Sequence, residues 1–281
     1  MSPSGERAAG HGRFGAVRLG DGPVVTRMGC AAVAPAGGAE AGRAVLRRAL
    51  RLGITYFEVG AGAGDLVREA LHPYPREVVL AVTVGAAEGA HARPESLRGQ
   101  VERMLRVLDA DRIGLVHLRA ADGVPVRESF GALADLCAAG LVGRLGLRGA
   151  GVEEIADACA VAPVAAVHRD VFPGPRGPRR FARAGRDDDV LELCENEGIA
   201  FAVSSPLAPG SLSPSALAVL DGVAARYEAT RAQIALAWLL CRSRATLAVP
   251  AAADPARLRE LVCGADHLLD PEDLTVLDGL R

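Results

Sequence analysis

The order of apolar and polar residues along the chain changes period in a regular way. Two short β-like runs, 14–19 and 24–28, flank Gly20-Asp21-Gly22-Pro23, and that turn composition between them predicts a hairpin. Beyond it, helical spacing and short apolar runs alternate. Val45, Leu46, Ala49 and Leu50 mark one face of a helix over 39–52 that stops at Gly53, and 54–59 reads as a strand. A short helix (65–71), a strand (78–84), a helix with proline in its first turn (94–108) and a strand (113–118) follow. The alternation continues with a helix 125–139, strand 143–147, helix 152–160 and strand 164–167. After a long loop come a helix 187–197, strand 199–203, helices 215–227 and 230–241, strand 246–249, and terminal helices 255–263 and 271–280. Counting 24–28 or its continuation as the first strand gives about eight strand–helix units, the number at which parallel strands close into a barrel. The predicted fold is therefore α/β, a (β/α)8 TIM barrel with an N-terminal β-hairpin, with residues 1–12 a flexible tail and 13–281 a single barrel.

Composition narrows the chemistry. The chain has 281 residues, 50% hydrophobic and 23% charged, with a net charge of -2, so no global basic field argues for nucleic acid or an anionic membrane. All 32 of its Lys+Arg residues are arginine, in an Ala-, Gly-, Arg- and Val-rich background of the kind GC-rich coding produces. Without lysine there is no Schiff base, phosphate-loop lysine or lysine general base, because arginine stays protonated. Cys30, Cys137, Cys159, Cys194, Cys241 and Cys263 are dispersed, with no Cys-x-x-Cys pair, which predicts reduced thiols and no zinc site. No apolar run approaches the roughly 18 residues of a spanning helix, and a cytoplasmic protein is expected. The 172–186 loop carries Arg176, Arg179, Arg180, Arg183 and Arg186, a solvated loop or a surface for an acidic partner.

Several segments carry a family resemblance. Gly53-Ile54-Thr55-Tyr56-Phe57-Glu58, Gly140 to Gly146, Ser205-Pro206-Leu207 with Gly210 and Leu212, and Ala232 to Leu240 (AQIALAWLL) resemble the aldo-keto reductases, in the family's order and over nearly the whole chain. That resemblance implies the barrel, an NADPH site and a catalytic Asp, Tyr, Lys and His. Here Glu58 stands for the Asp, Ala63 for the Tyr, Thr83 for the Lys and Arg119 for the His. The cofactor positions differ too. Arg148-Gly149 replaces the Ser-Asn that holds the carboxamide, His168 the Gln, and Ser204 the Tyr that stacks on nicotinamide. Ala253 and Leu261 replace the 2'-phosphate arginine and the adenine-binding asparagine. Only the loop with Ser205, Leu207, Gly210 and Leu212 remains as a pyrophosphate cradle.

Active residues of such barrels sit at the carboxyl ends of the strands. Strand alternation turns Tyr56 with Glu58, His117 with Arg119, and His168 with Asp170 toward the barrel axis, with Arg148 nearby. Glu58 pairing with Arg119 is the expected neutralisation. Glu58, Arg119 and His117 are the catalytic candidates; Tyr56, Arg148, His168 and Asp170 are the substrate-binding ones, and no metal site is expected. The leading functional expectation is a barrel that has left NADPH chemistry for non-redox acid–base work of isomerase, cyclase or lyase type on a small carbonyl or anionic metabolite, in a bacterial biosynthetic setting, without a cofactor. One alternative is a catalytically inactive binding protein or pseudoenzyme. Another is an NADP-dependent oxidoreductase with a relocated proton donor, for which NADP(H) is the cofactor.

Overall fold

Alternation of side chains along each strand sorts this sequence into two apolar layers. In the computed structural model, residues 14–33, 38–85, 92–119, 124–172, 187–206 and 212–280 are described. Strands β1 (Ala16–Arg18) and β2 (Val24–Thr26) form the antiparallel hairpin, Ala16 opposite Thr26. Eight parallel strands follow, β3 (Cys30–Ala32), β4 (Tyr56–Val59), β5 (Val79–Val84), β6 (Ile113–Leu118), β7 (Val142–Arg148), β8 (Val164–Phe172), β9 (Ala200–Pro206) and β10 (Thr246–Ala248), each paired with the next. Parallel bridges from Met28 to Ala248 and Ala31 to Ala251 bring the first and last strands together into a nearly closed barrel. The continuation of the hairpin's second arm, not 24–28 itself, is the first barrel strand.

Between the strands run α1 (Gly38–Arg51), α2 (Gly64–Leu71), α3 (Pro94–Leu108), α4 (Val126–Ala138), α5 (Val152–Cys159), α6 (Asp187–Glu197), α7 (Pro214–Arg226), α8 (Arg231–Arg242), α9 (Pro255–Gly264) and α10 (Pro271–Asp278). Helix ends follow local chemistry. Gly53 at φ 84° and Gly140 at φ 80° take the left-handed turn that releases the chain from α1 and α4. Thr230 Oγ1 accepts from Gln233 N while Gln233 Oε1 accepts from Thr230 N, a capping box that starts α8.

Outward residues such as Phe57, Val59, Leu80, Val82, Val116, Leu147, Phe201 and Val203 join the helices in one core cluster. Inward residues form the other: Tyr56, Val79, Ala81, Leu115, Ala166, Ala200, Ala202, Leu247 and Val249, closed below by Val17, Leu19 and Val25 of the hairpin. Arg27 pins that hairpin to the last strand, its guanidinium donating to the carbonyls of Leu240 at 2.7 Å and Thr246 at 3.0 Å. Many inward positions are Ala or Gly, which leaves room on the axis for a few large polar side chains above them. Two strands run further than the apolar runs predicted, β8 to Phe172 rather than 167 and β9 to Pro206 rather than 203. Both extensions carry polar residues that still alternate in and out. Among the described residues, no helix is long and apolar enough to cross a membrane. The 1–12 tail and the Arg176 to Arg186 loop lie outside the described residues.

Candidate active site at the barrel mouth

Register sets the order of the inward side chains. Glu58 lies beside Ala81, Thr83 beside His117, His117 beside Gly146, and Arg148 beside His168. The ring of His117 fits because its neighbour lacks a side chain: a Cβ on Gly146 would lie 2.6 Å from His117 Nδ1. Above this layer β7 contributes Arg148 and β8 contributes Asp170.

Glu58 is the hub. It is 4% exposed, and it is surrounded by donors. The Arg148 guanidinium donates to Oε1, Tyr56 OH lies 3.3 Å from Oε2, and Thr83 Oγ1 lies 3.4 Å from Oε1. His168 Nδ1 is 3.2 Å from Oε2, with its N–H off the ideal line, and His117 Nε2 is 3.9 Å away. Burial on its own pushes the Glu58 carboxyl up; His168, His117 and Arg148 outweigh it and hold the group well below the ordinary carboxylate range, so Glu58 is ionised. Burial pushes His117 down to about 3, and it stays neutral at physiological pH. Burial, and then the Glu58 charge, raises Tyr56 well above a free phenol. Tyr56 OH also meets His117 Nε2 at 3.1 Å, so this fully buried phenol orients the hub from below.

The expected Glu58–Arg119 pair does not form. Arg148 instead bridges Glu58 and Asp170, while Arg119 donates to Asp170 Oδ2 at 2.9 Å. Arg148 projects from a strand directly beside His168 and reaches across the axis, whereas Arg119 lies one step further out, with its side chain 37% exposed. Two carboxylates and two guanidiniums thus neutralise one another. Glu58, His117 and His168 also bring three ligand-type atoms within 4.8 Å of each other. The Arg148 guanidinium on Glu58 already supplies the positive charge such a donor set attracts, so we assign no cation there.

Ser204, which stands for the nicotinamide-stacking tyrosine in the family resemblance, is connected to the hub. Ser204 Oγ lies 2.8 Å from His168 Nε2, forming a chain from Glu58 through His168 to Ser204. Ser204 opens into a cavity of about 570 Å³ between the ends of β9 and β10 and the starts of α8 and α9. Ser205, Thr230, Arg231, Arg257 and Glu260 add polar groups to its wall, and Leu220, Ala235, Leu236 and Leu261 add apolar ones. Its size falls within the roughly 300–1,000 Å³ of small-molecule sites. Arg257 donates to Glu260 Oε1 at 2.5 Å, and Arg231 pairs with Asp221. Of the four proposed cradle residues, Ser205 lines this cavity and Leu212 is buried beneath the surface; Leu207 and Gly210 lie outside the described residues.

Residues 37–281 match the model of the Aldo/keto reductase family. The chain belongs to this family. It is 31% identical over 255 residues to pyridoxine 4-dehydrogenase of Escherichia coli (strain K12), spanning 84% of this chain and 85% of that one. It is 31% identical over 285 residues to an uncharacterized oxidoreductase of Schizosaccharomyces pombe, spanning 94% and 89%. Among solved structures it resembles a thermostable aldo-keto reductase in complex with the inhibitor epalrestat, with TM-score 0.80, 24% identity and coverage of 95% and 99%. An aldo-keto reductase from Klebsiella pneumoniae in complex with NADPH gives TM-score 0.78 at 24% identity, covering 94% of each chain. These relatives overturn the leading functional expectation. Both curated proteins are named for redox chemistry, and none of these matches points to isomerase, cyclase or lyase work.

The cavity tests whether a dinucleotide suits this family member. Guanidinium and hydroxyl groups beside an apolar wall that includes Leu261 match the phosphate-bearing adenosine half of NADP(H). At the other end, His168 and Arg148 stand where the resemblance implies amide and hydroxyl side chains, so the carboxamide would meet an imidazole and a guanidinium. On the chemistry of its donors the site fits the group, with an altered grip at each end.

Proposed function

We propose that this aldo/keto reductase family member is an NADP(H)-dependent oxidoreductase that interconverts a small carbonyl compound and its alcohol, using a proton donor other than the family's tyrosine. The observation that carries the reading is the cavity joined to the mouth at Ser204, lined by Arg231 and Arg257. Bound there, the nicotinamide cofactor supplies or accepts hydride. The chain's own side chains do the remaining work.

Arg231 and Arg257, held by Asp221 and Glu260 in the free chain, are the guanidiniums that would turn to phosphate, and the Thr230 and Ser205 hydroxyls offer hydrogen bonds beside them. At the mouth the proton path is the chain Glu58–His168–Ser204. With a proton on Nε2, His168 donates to Ser204 Oγ while its Nδ1 edge faces Glu58. Ser204 then passes its proton to the substrate oxygen and refills from Nε2. Tyr56, fully buried below Glu58, holds the hub in place and does not reach substrate. Arg119, the more exposed guanidinium, draws an anionic or polarised oxygen toward the mouth.

The test is a fluorescence titration with NADPH, followed by turnover assays on pyridoxal and simple aldehydes. Saturable binding in the micromolar range is expected, and Arg257→Leu should weaken NADPH by about tenfold, the effect of losing about 1.4 kcal/mol of charge-assisted contact. No saturable binding of NADPH or NADH at millimolar concentration would sink the proposal.

A further inference from the structure

The side chains at the mouth stand in the order carboxylate, imidazole, hydroxyl, an ion-pair contact followed by a hydrogen bond. Glu58 Oε2 lies 3.2 Å from His168 Nδ1, and His168 Nε2 lies 2.8 Å from Ser204 Oγ. The imidazole is fully buried, so its ring is held by the barrel wall, and of the three residues Ser204 lines the cavity. An ionised carboxylate at Nδ1 keeps the neutral ring's proton on that nitrogen and leaves Nε2 free to accept from Ser204. Nucleophilic serines are activated by this arrangement on unrelated folds. The cavity supplies what an acyl group needs. Leu220, Ala235, Leu236 and Leu261 give an apolar wall, and α8 begins there. The N–H groups of Arg231 and Ala232 lie in the first turn of this 12-residue helix, where no intrahelical acceptor is available to them.

We propose that Ser204 is an activated nucleophile and that the cavity catalyses acyl transfer from small, short-chain activated esters to water, without any dinucleotide. This activity stands apart from hydride transfer and does not depend on it. In the first step Ser204 Oγ forms a bond to the acyl carbon, and its proton goes to His168 Nε2. The carbon–oxygen bond to the leaving alkoxide breaks, and the alkoxide departs as an alcohol with the proton from Nε2. Water then attacks the Ser204 ester, gives its proton to Nε2, and Ser204 leaves with that proton restored, releasing the carboxylic acid. No oxidation state changes.

The experiment uses the full chain free of nucleotide. A reporter-tagged fluorophosphonate, which loses fluoride to a nucleophilic hydroxyl, is incubated with the protein and the modified residue is located by peptide mass spectrometry. p-Nitrophenyl acetate hydrolysis is followed in parallel. Label is expected at Ser204, with ester hydrolysis reduced at least about 100-fold in Ser204→Ala. Glu58→Gln should slow labelling of Ser204. Because that buried change can disturb folding, the parent's labelled position and Ser204→Ala, whose hydroxyl is at the cavity edge, decide the matter. A parent chain that stays unlabelled at saturating probe overturns the assignment. So does label on Ser205 or another residue, or a Ser204→Ala variant that hydrolyses the ester as fast as the parent. Absence of NADPH binding alongside Ser204 labelling would fell the redox reading alone, and the reverse pattern would fell only this one.

Discussion

Removing Arg148 tests how the buried charge at the mouth is held. In Arg148→Met the side chain keeps much of its volume, but Glu58, 4% exposed, loses the one guanidinium that pairs with it among the described residues. Breaking a buried pair by deleting one partner costs about 3–5 kcal/mol. His168, His117 and the Tyr56 hydroxyl still face the carboxylate, so the lower end, about 3 kcal/mol, applies at pH 7.5. The loss also has a ceiling. Glu58 can escape by taking up a proton, which from an unfolded value near 4.3 costs about 4 kcal/mol at pH 7.5 and about 2 kcal/mol at pH 5.5.

The signs work out as follows for the two proteins. In the parent, the Glu58 value is depressed, so its contribution is present above the unfolded value and is lost only as pH falls below it, outside the window from 7.5 to 5.5. In the variant the Arg148 charge no longer opposes burial, so the folded value moves up from the parent's, and protonation of Glu58 limits the deficit as pH falls. His117, pushed down to about 3 mainly by burial, destabilises both proteins below about pH 6.5 and largely cancels in the difference. Asp170 keeps Arg119 at 2.9 Å and is half exposed, so it adds little. Urea unfolding followed by Trp238, the sole tryptophan and fully buried, reads the difference. The expected deficit is about 3 kcal/mol at pH 7.5 and under about 2 kcal/mol at pH 5.5. A deficit below about 1 kcal/mol at pH 7.5, or one equal at both pH values, refutes the assignment of Arg148 as the counter-charge.

Two further outcomes test the barrel's interior and its thiols. Gly146→Ala should cost about 3 kcal/mol by thermal or urea unfolding, since its Cβ would sit 2.5 Å from the Ala166 carbonyl oxygen and 2.6 Å from His117 Nδ1. Gly99→Ala, exposed in the middle of α3 with nothing within 4 Å of the new methyl, should instead gain about 0.5–1 kcal/mol. Burial raises the Cys30 and Cys194 thiols to about 12, whereas Cys159 and Cys241 are exposed. A thiol reagent at pH 8 should therefore modify Cys159 and Cys241 in the native protein and reach Cys30 and Cys194 only on unfolding; prompt native labelling of Cys30 would contradict its burial.

Most of the architecture was readable because helix and strand periods differ and each helix carries its own stop or cap. Helix 94–108 is found with the boundaries that its proline and its apolar stripe predicted. The ends of the barrel strands were less legible. The apolar run ends at 167, yet His168, Arg169 and Asp170 continue β8, with His168 inward and Arg169 outward against Asp187 at 3.1 Å. A strand that ends in an active-site mouth loses its apolar signature at the point where its function starts. Six of the seven candidate residues were singled out by alternation along strands registered by the family resemblance, with Arg148 added as a neighbour, since period two fixes which side chains face the axis whatever their chemistry.

Pairing among those residues was a different problem, because it depends on register between strands and on reach, and neither is written in any one segment. Glu58 and Arg119 are both inward and opposite in charge, which made them natural partners. Strand β5 separates them, however, and Arg119 stands one inward step nearer the rim than His117, so the guanidinium that reaches Glu58 comes from the far side of the axis, from the strand beside His168. The same rule explains why Ser204 looked like a mere replacement. Its partner lies 36 residues away, and the register of β8 against β9, with His168 beside Ala202, puts Ser204 at the next inward step. Family motifs label positions one strand at a time, whereas this mouth is built across strands. Side chains that act together in this mouth are therefore to be sought among inward residues on neighbouring strands.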